Sequence, residues 1–323
     1  MNYSNNLFCY ATSELSQDAF ICWLLSFLLE ENKGTDLALE KCASEFVRCF
    51  YPEFPENGMV TNVQRQYKNI DVLLSIGDKK IIIEDKTFTG VHGNQINVYK
   101  KTLAEEGISE NDIVCVYYKI IEQPNAEPGV DYEFTREKLI ELFRKHMNDN
   151  VIFQNYLEHL ENIDKRVMMF KELPTDQWDG YAYKGFFSSL RPGVFKRDAS
   201  WWRYVSNPTG GFMCLWWSGA DKNTLDSTGL SKVVRELYPQ IENNKMAIKI
   251  TTNEDAPKEA IKSVRQKLYH YFTDKLNGEF NRIRFHNGQH LTVGYTLYDY
   301  QNHLIKINQI NTAIKELGTD FRL

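Results

Sequence analysis

Acidic and basic side chains stand at the ends of two apolar segments in the first third of the chain. Asp71 lies near the start of the segment 70–76, and Glu84 and Lys86 lie near the end of the segment 80–88. Two carboxylates held close together repel each other unless a proton or a cation lies between them. Oxygen ligands favour a hard ion such as Mg²⁺, which keeps several waters and shares phosphate oxygens. The pattern therefore indicates a site for Mg²⁺, with Mn²⁺ as a substitute, and for a phosphate.

A hairpin is the element expected to position these residues. The two segments are rich in apolar and β-branched side chains, and Gly77-Asp78-Lys79 between them supplies a reverse turn. Antiparallel pairing brings Asp71 near Glu84. Because side chains alternate along a strand, Glu84 and Lys86 share one face while the side chain of Asp85 points to the other.

The expected metal ligands are Asp71, Glu84 and the peptide oxygen of Asp85. Lys86 then faces the same pocket, where it can orient or deprotonate the attacking water, or neutralise charge that builds up on the phosphate. Gln95 and Tyr99 are four residues apart and share a helix face, from which an amide and a phenol can hold a phosphodiester. A capping glutamine and a packed tyrosine are the simpler alternative for that pair.

The surroundings favour a functional role over a solvated strand end, which is the usual meaning of Glu-x-Lys alone. Ile81-Ile82-Ile83 indicates a strand buried on both faces, so that charge at its end costs free energy unless it is compensated. The ordered series Asp71, Glu84, Lys86, Gln95, Tyr99 is rarely met by chance.

This series resembles the PD-(D/E)XK nuclease superfamily, and Gln95-x-x-x-Tyr99 is similar to the additional motif of its RecB-like and λ-exonuclease-like branch. Residues 10–25 also resemble the opening of uncharacterised bacterial members. The resemblance covers residues 7–120, and Asn69-Ile70 stands where the motif's name has proline. It implies a mixed sheet flanked by helices, with Asp71 and Glu84 as metal ligands and Lys86 as a catalytic residue.

The resemblance also assigns a catalytic role to Glu14, because a helix-borne acid often completes such metal sites. An alternative role for this acid is to complement the dipole at a helix N-terminus. Composition is that of a globular protein: 42% of the 323 residues are hydrophobic, and the length allows two domains. The six cysteines form no C-x-x-C pair, which predicts reduced core thiols.

The expected fold class is α/β, with a mixed central sheet flanked by helices and a smaller α+β domain after it. The predicted domains are residues 1–175, the nuclease-like domain, and 176–323, a substrate- or partner-recognition domain. Residues 181–323 hold 20 Lys and Arg against 13 Asp and Glu, whereas residues 1–180 hold 18 against 30. A basic half beside an acidic half fits a polyanion-binding surface near a metal site, although uneven scatter of charge explains it equally well.

Adjacent tryptophans in the second half place one ring on each face of a strand. The exposed members of Trp201-Trp202 and Trp216-Trp217 could stack on a base or a protein, but core packing is the favoured explanation. The chain lacks an apolar run of membrane-spanning length and a signal peptide, so we expect a cytoplasmic protein without a membrane partner.

The expected function is metal-dependent hydrolysis of phosphodiester bonds in a nucleic acid, with DNA as the expected substrate. The alternative is a catalytically silent nuclease fold that binds nucleic acid or a protein partner. The sequence leaves open DNA against RNA, endonuclease against exonuclease, and whether copies of the chain associate.

Overall fold

The computed structural model describes residues 5–86, 94–123, 129–190, 200–207, 210–283 and 290–323. The chain divides into two compact units, Met1–Arg166 and Val167–Leu323. The boundary expected from sequence, after residue 175, lies inside the second unit. The α/β class is confirmed: a mixed five-stranded sheet with helices is followed by a second, antiparallel five-stranded sheet with helices.

The first unit is built on a mixed sheet in the order β1-β2-β3-β4-β5. Strands β1, β2 and β3 are antiparallel neighbours, whereas β3–β4 and β4–β5 are parallel. Its elements are α1 (Glu14–Ser26), α2 (Leu37–Arg48), β1 (Asn62–Tyr67), β2 (Ile70–Ile76), β3 (Lys79–Lys86), α3 (Gln95–Glu105), β4 (Ile113–Lys119), β5 (Tyr132–Thr135), α4 (Arg136–Lys145) and α5 (Val151–Met168).

The expected hairpin is present, and its register pairs Val72 with Ile83. Residues 81–83 are completely buried, because helices cover both faces of the strand. On one face Ile82 packs with Ile96 and Tyr99 of α3, while α1 lies across the other face of β1, β2 and β3. Strand β3 ends at Lys86, and its expected continuation to residue 88 lies outside the described residues.

The second unit has an antiparallel sheet in the order β10-β9-β8-β7-β6, whose apolar face packs with the helices into one hydrophobic core. Its elements are α6 (Gly180–Leu190), β6 (Ser200–Val205), β7 (Phe212–Trp217), α7 (Lys222–Ser227), β8 (Val234–Glu242), β9 (Lys245–Thr252), α8 (Lys258–Lys275), β10 (His290–Leu297) and α9 (His303–Asp320).

Two elements of the second unit escape the sequence patterns. Helix α6 contains two glycines, Gly180 and Gly185, and β8 carries Pro239 in its interior. Proline and charged residues hide a strand from pattern reasoning, since they interrupt an apolar run. An isolated bridge joins Asn281 and Tyr295, and residues 284–289 lie outside the described residues.

All six cysteines are free thiols. Cys42, Cys115 and Cys214 are buried as expected of core thiols, whereas Cys9 and Cys49 are exposed. Of the helices in the described ranges, none is long and apolar enough to cross a membrane.

Candidate functional site

The ammonium group of Lys86 lies among the three oxygens expected to bind a metal. Its Nζ is 2.6 Å from Oε1 of Glu84 and 3.4 Å from Oδ2 of Asp71, and it donates a hydrogen bond of 3.0 Å to the peptide oxygen of Asp85. The hairpin explains this convergence, because residues 84 and 86 share a face and residue 71 lies on the adjoining strand. The structure thus brings the four hairpin residues together.

Asp71 is held in place by two donors. Its Oδ2 accepts a hydrogen bond of 3.0 Å from the backbone N–H of Asp85, and its Oδ1 accepts one of 3.1 Å from Nε2 of Gln66. The first bond ties the acid on β2 to the peptide that also offers its oxygen to Lys86. The carboxylate of Asp71 therefore has little freedom to turn away from the site.

Glu84 is fully buried, and neither of its oxygens accepts a well-aligned hydrogen bond in the described part of the chain. Burial and the nearby charge of Asp71 raise the pKa of Glu84 to about 7. Burial disfavours the ammonium of Lys86, but the ion pair with Glu84 and the charge of Asp71 outweigh it and raise the pKa of Lys86. Lys86 thus carries its proton near neutral pH, and Glu84 is poised between its two states.

The side chain of Asp85 turns away from this group, as the alternation along β3 predicts. Its Oδ1 accepts a hydrogen bond from Nε2 of Gln17 on α1, and the residue is completely buried. Burial, reinforced by the charge of Asp18, raises the pKa of Asp85 well above its usual range. Of the groups on Asp85, only the peptide oxygen faces the expected metal position.

Gln95 and Tyr99 lie together at the start of α3, with the amide of Gln95 donating to the phenol oxygen of Tyr99. The Tyr99 hydroxyl donates in turn to the peptide oxygen of Asn69, at 2.6 Å, and the ring is buried. Burial, together with the charges of Glu84 and Asp71, raises the pKa of Tyr99 to about 12. Tyr99 therefore holds the turn that precedes Asp71 in the chain. Its hydroxyl proton is engaged in the hydrogen bond to Asn69.

Glu14 is the first residue of α1 and is half-buried. Its negative charge contributes to the raised pKa values of both Lys86 and Asp85, so it acts on the site electrostatically.

Three polar residues of the site were missed by the sequence reasoning, namely Gln17, Asp18 and Gln66. Asp18 is almost completely buried, and burial and the charge of Asp71 raise its pKa to about 6. Nε2 of Gln66 donates to Oδ2 of Asp18 at 3.0 Å as well as to Asp71, so one amide bridges two acids. A signal was present in the sequence: Glu14, Gln17 and Asp18 share one face of a helix that is otherwise apolar.

The oxygen atoms that Asp71, Glu84 and the Asp85 peptide offer fit a hard divalent cation of the Mg²⁺ type. Within the described ranges no three His, Cys, Asp or Glu side chains are grouped as a metal site. The site offers two carboxylates and one peptide oxygen instead, and Mg²⁺ accepts such a set because it completes its shell with water and phosphate oxygens. Oε2 of buried Glu84, which has no hydrogen-bond partner in the described part of the chain, is the atom that would gain most from a cation.

Comparison of the chain with protein-family models, curated proteins and solved structures found no match. The resemblance to the PD-(D/E)XK superfamily consequently rests on the residues named above and on their spacing.

Proposed function

We propose that the first unit is a Mg²⁺-dependent nuclease of PD-(D/E)XK type that hydrolyses phosphodiester bonds, with DNA as its substrate. The observation that carries the proposal is the convergence of Asp71, Glu84 and the Asp85 peptide oxygen on the Lys86 ammonium. Three oxygens around one positive charge mark a position where the chain stabilises a cation. The free thiols fit the cytoplasmic location that belongs to the same proposal.

Asp71, Glu84 and the peptide oxygen of Asp85 would hold the ion. A bound Mg²⁺ supplies charge to the phosphate and lowers the pKa of water, which makes a nucleophile available near neutral pH. Lys86 contributes its positive charge: because its pKa is raised, it stabilises negative charge on the phosphate oxygens rather than acting as a base. Gln66 orients Asp71 and Asp18, and Tyr99 fixes the turn at Asn69 through its hydroxyl.

Cleavage of a panel of DNA and RNA substrates with Mg²⁺ or Mn²⁺ tests the proposal. Wild type should cleave at least one substrate in a metal-dependent way, while Asp71→Ala and Lys86→Ala should lose most of that activity. Asp78→Ala is the matched control, since Asp78 is an exposed acid in the turn at the far end of the same hairpin. Wild type that cleaves nothing, or site variants as active as Asp78→Ala, would contradict the proposal.

The catalytically silent fold remains the competing function, and one observation favours it. In this structure Lys86 Nζ itself neutralises the buried carboxylate of Glu84, at 2.6 Å, so the site is stable without an added ion. Titration with Mg²⁺ separates the two functions. A nuclease site must bind the ion at millimolar concentration or below, whereas a silent module needs no metal affinity.

A further inference from the structure

We propose that the second sheet binds single-stranded nucleic acid across the face opposite its helix-covered core. A row of residues paired side by side crosses all five strands on this face. The row consists of Trp201, Trp216, Gln240, Ala247 and Tyr295, each paired with the next across neighbouring strands. We call it the aromatic row. With strands spaced ~4.8 Å apart, it extends over about 19 Å.

The alternation of side chains along the strands separates this face from the core. Trp202 and Leu215, which neighbour the row in sequence, are buried in the core that the helices cover. None of the five row residues belongs to that core cluster: Trp201 is 42% exposed, Trp216 and Tyr295 are half-buried, and Gln240 and Ala247 are buried between them. The two tryptophan pairs are thus divided as alternation requires, with one ring of each pair in the core and the other on this face.

Positive charges run beside the aromatic row. A second row lies parallel to the aromatic row, displaced from it by two residues along each strand, which is about 7 Å. This second row contains Arg203 and Lys245. The guanidinium of Arg203 lies 5.5 Å from the ring centre of Trp216, and Nζ of Lys245 lies 4.8 Å from that of Tyr295. Cations over aromatic faces hold the rings in place and present charge at the surface.

This face carries a small excess of positive charge, which favours a polyanion: its bases are Arg203, Lys245 and Lys249, and its acids are Glu236 and Glu242. Among the described residues no carboxylate lies within salt-bridge distance of Arg203, which is exposed. Glu242, the acid of the second row, is neutralised by Lys249 at 2.5 Å. The surrounding half of the chain, residues 181–323, has 20 basic against 13 acidic side chains.

Single strands fit this arrangement better than a duplex. Unpaired bases expose faces that can stack on Trp201, Trp216 and Tyr295, whereas paired bases are stacked on one another. The phosphates of such a strand would follow Arg203 and Lys245. This inference concerns binding by the second unit and holds whether or not the first unit cleaves nucleic acid.

The experiment measures binding of fluorescein-labelled oligothymidine by fluorescence anisotropy. Full-length chain carrying Glu84→Gln is used in EDTA, so that hydrolysis plays no part. We expect saturable binding that is stronger than binding of a duplex, and Trp201→Ala should weaken it by about tenfold, the usual loss of one stacked base. Arg203→Gln should lower the slope of log affinity against log salt by about 0.7, the value for one phosphate contact on a single strand.

Tyr204→Ala provides the matched control. Tyr204 is also an exposed aromatic residue of β6, at 56%, but it lies on the opposite face of the strand from Trp201 and Arg203. Binding should be unchanged in this variant. Should Trp201→Ala fail to fold, Arg203→Gln and Lys245→Gln test the same face, because both remove charge at the surface without removing a ring.

Three results would overturn the proposal. One is a chain that binds no single strand, or binds duplex as tightly. Another is an equal loss of affinity in Trp201→Ala and Tyr204→Ala. The third is self-association in sedimentation velocity that Trp201→Ala abolishes while oligothymidine binding is unaffected, which would assign the face to a second copy of the chain.

Discussion

Lys86 and Glu84 form a buried ion pair at the end of β3, with Nζ and Oε1 separated by 2.6 Å. The carboxylate is fully buried, and the ammonium is almost so. Breaking a buried pair costs more than forming it gains, since the remaining charge is left without compensation in a medium of low polarity.

Removal of the lysine charge should therefore destabilise the first unit. We expect Lys86→Met to lose about 3 kcal/mol of unfolding free energy at pH 8, because Glu84 would lose its partner and could stay buried only by taking up a proton. The double variant Glu84→Gln with Lys86→Met should regain most of this loss. Urea denaturation of the four proteins in this cycle measures the coupling. A double variant as unstable as Lys86→Met would show that lost packing, and not charge, causes the effect.

The pH dependence of stability should carry the signature of Glu84. The folded pKa is about 7 against an ordinary value of 4.5, so the folded state binds the proton more tightly. Stability from this group is then fully present below about pH 4.5 and is lost as the pH rises through 7. Between pH 5 and pH 8, the unfolding free energy of wild type should fall by on the order of 2 kcal/mol relative to that of Glu84→Gln.

Asp18 contributes in the same direction at lower pH, since its folded pKa of about 6 also exceeds its ordinary value of 3.8. Its stabilising contribution should be fully present below about pH 3.8, be lost as the pH rises through 6, and be absent in Asp18→Asn. Unfolding curves at half-unit pH intervals separate the two groups. A difference between wild type and Glu84→Gln that is constant with pH would contradict the raised pKa.

Features of the site that depend on neighbouring residues in the sequence could be predicted, whereas features that depend on tertiary packing could not. Strand 70–76 matches its predicted range, because runs of β-branched residues between turns have few alternatives. Alternation along β3 was enough to separate Glu84 and Lys86 from Asp85. In contrast, the helix face shared by Glu14, Gln17 and Asp18 indicates a buried polar patch but not its neighbours, and only the packing of α1 against the sheet places Asp18 beside the site.

The turn between β1 and β2 shows the same limit. Gln66 near the end of β1, and Lys68 and Asn69 in the turn itself, have positive φ angles of 55°, 49° and 71°, which side-chain-bearing residues rarely adopt. Nothing in the local sequence requires this conformation, since no glycine lies in the turn. The conformation of the turn is fixed instead by two hydrogen bonds, one from Gln66 to Asp71 and one from Tyr99 to the peptide oxygen of Asn69.

We expect Gln66 to position Asp71. The hydrogen bonds of its amide should stabilise the site by more than its positive φ angle costs. We expect Gln66→Gly to be more stable than Gln66→Ala by about 1 kcal/mol, because glycine adopts positive φ freely. Both variants should nevertheless bind Mg²⁺ less tightly than wild type, since both leave Asp71 without one of its donors. Thermal unfolding and calorimetric Mg²⁺ titration measure the two effects separately. Equal stability of the two variants would show that residue 66 carries no backbone strain.

Asp71 and Asp85 should differ sharply in their effect on metal binding, although they are the same residue type and are joined by a hydrogen bond. Asp71→Asn removes a charged ligand from the proposed ion and should weaken Mg²⁺ binding by at least about tenfold. Asp85→Asn should leave the affinity nearly unchanged. Its buried side chain points away from the proposed ion and accepts a hydrogen bond from Gln17, and the peptide oxygen that it offers the site is preserved by the substitution. Calorimetric titration at pH 8 compares the two variants. A large loss of affinity in Asp85→Asn would mean that the side chain rotates to bind the ion, and equal affinity in Asp71→Asn would remove the metal site from the hairpin.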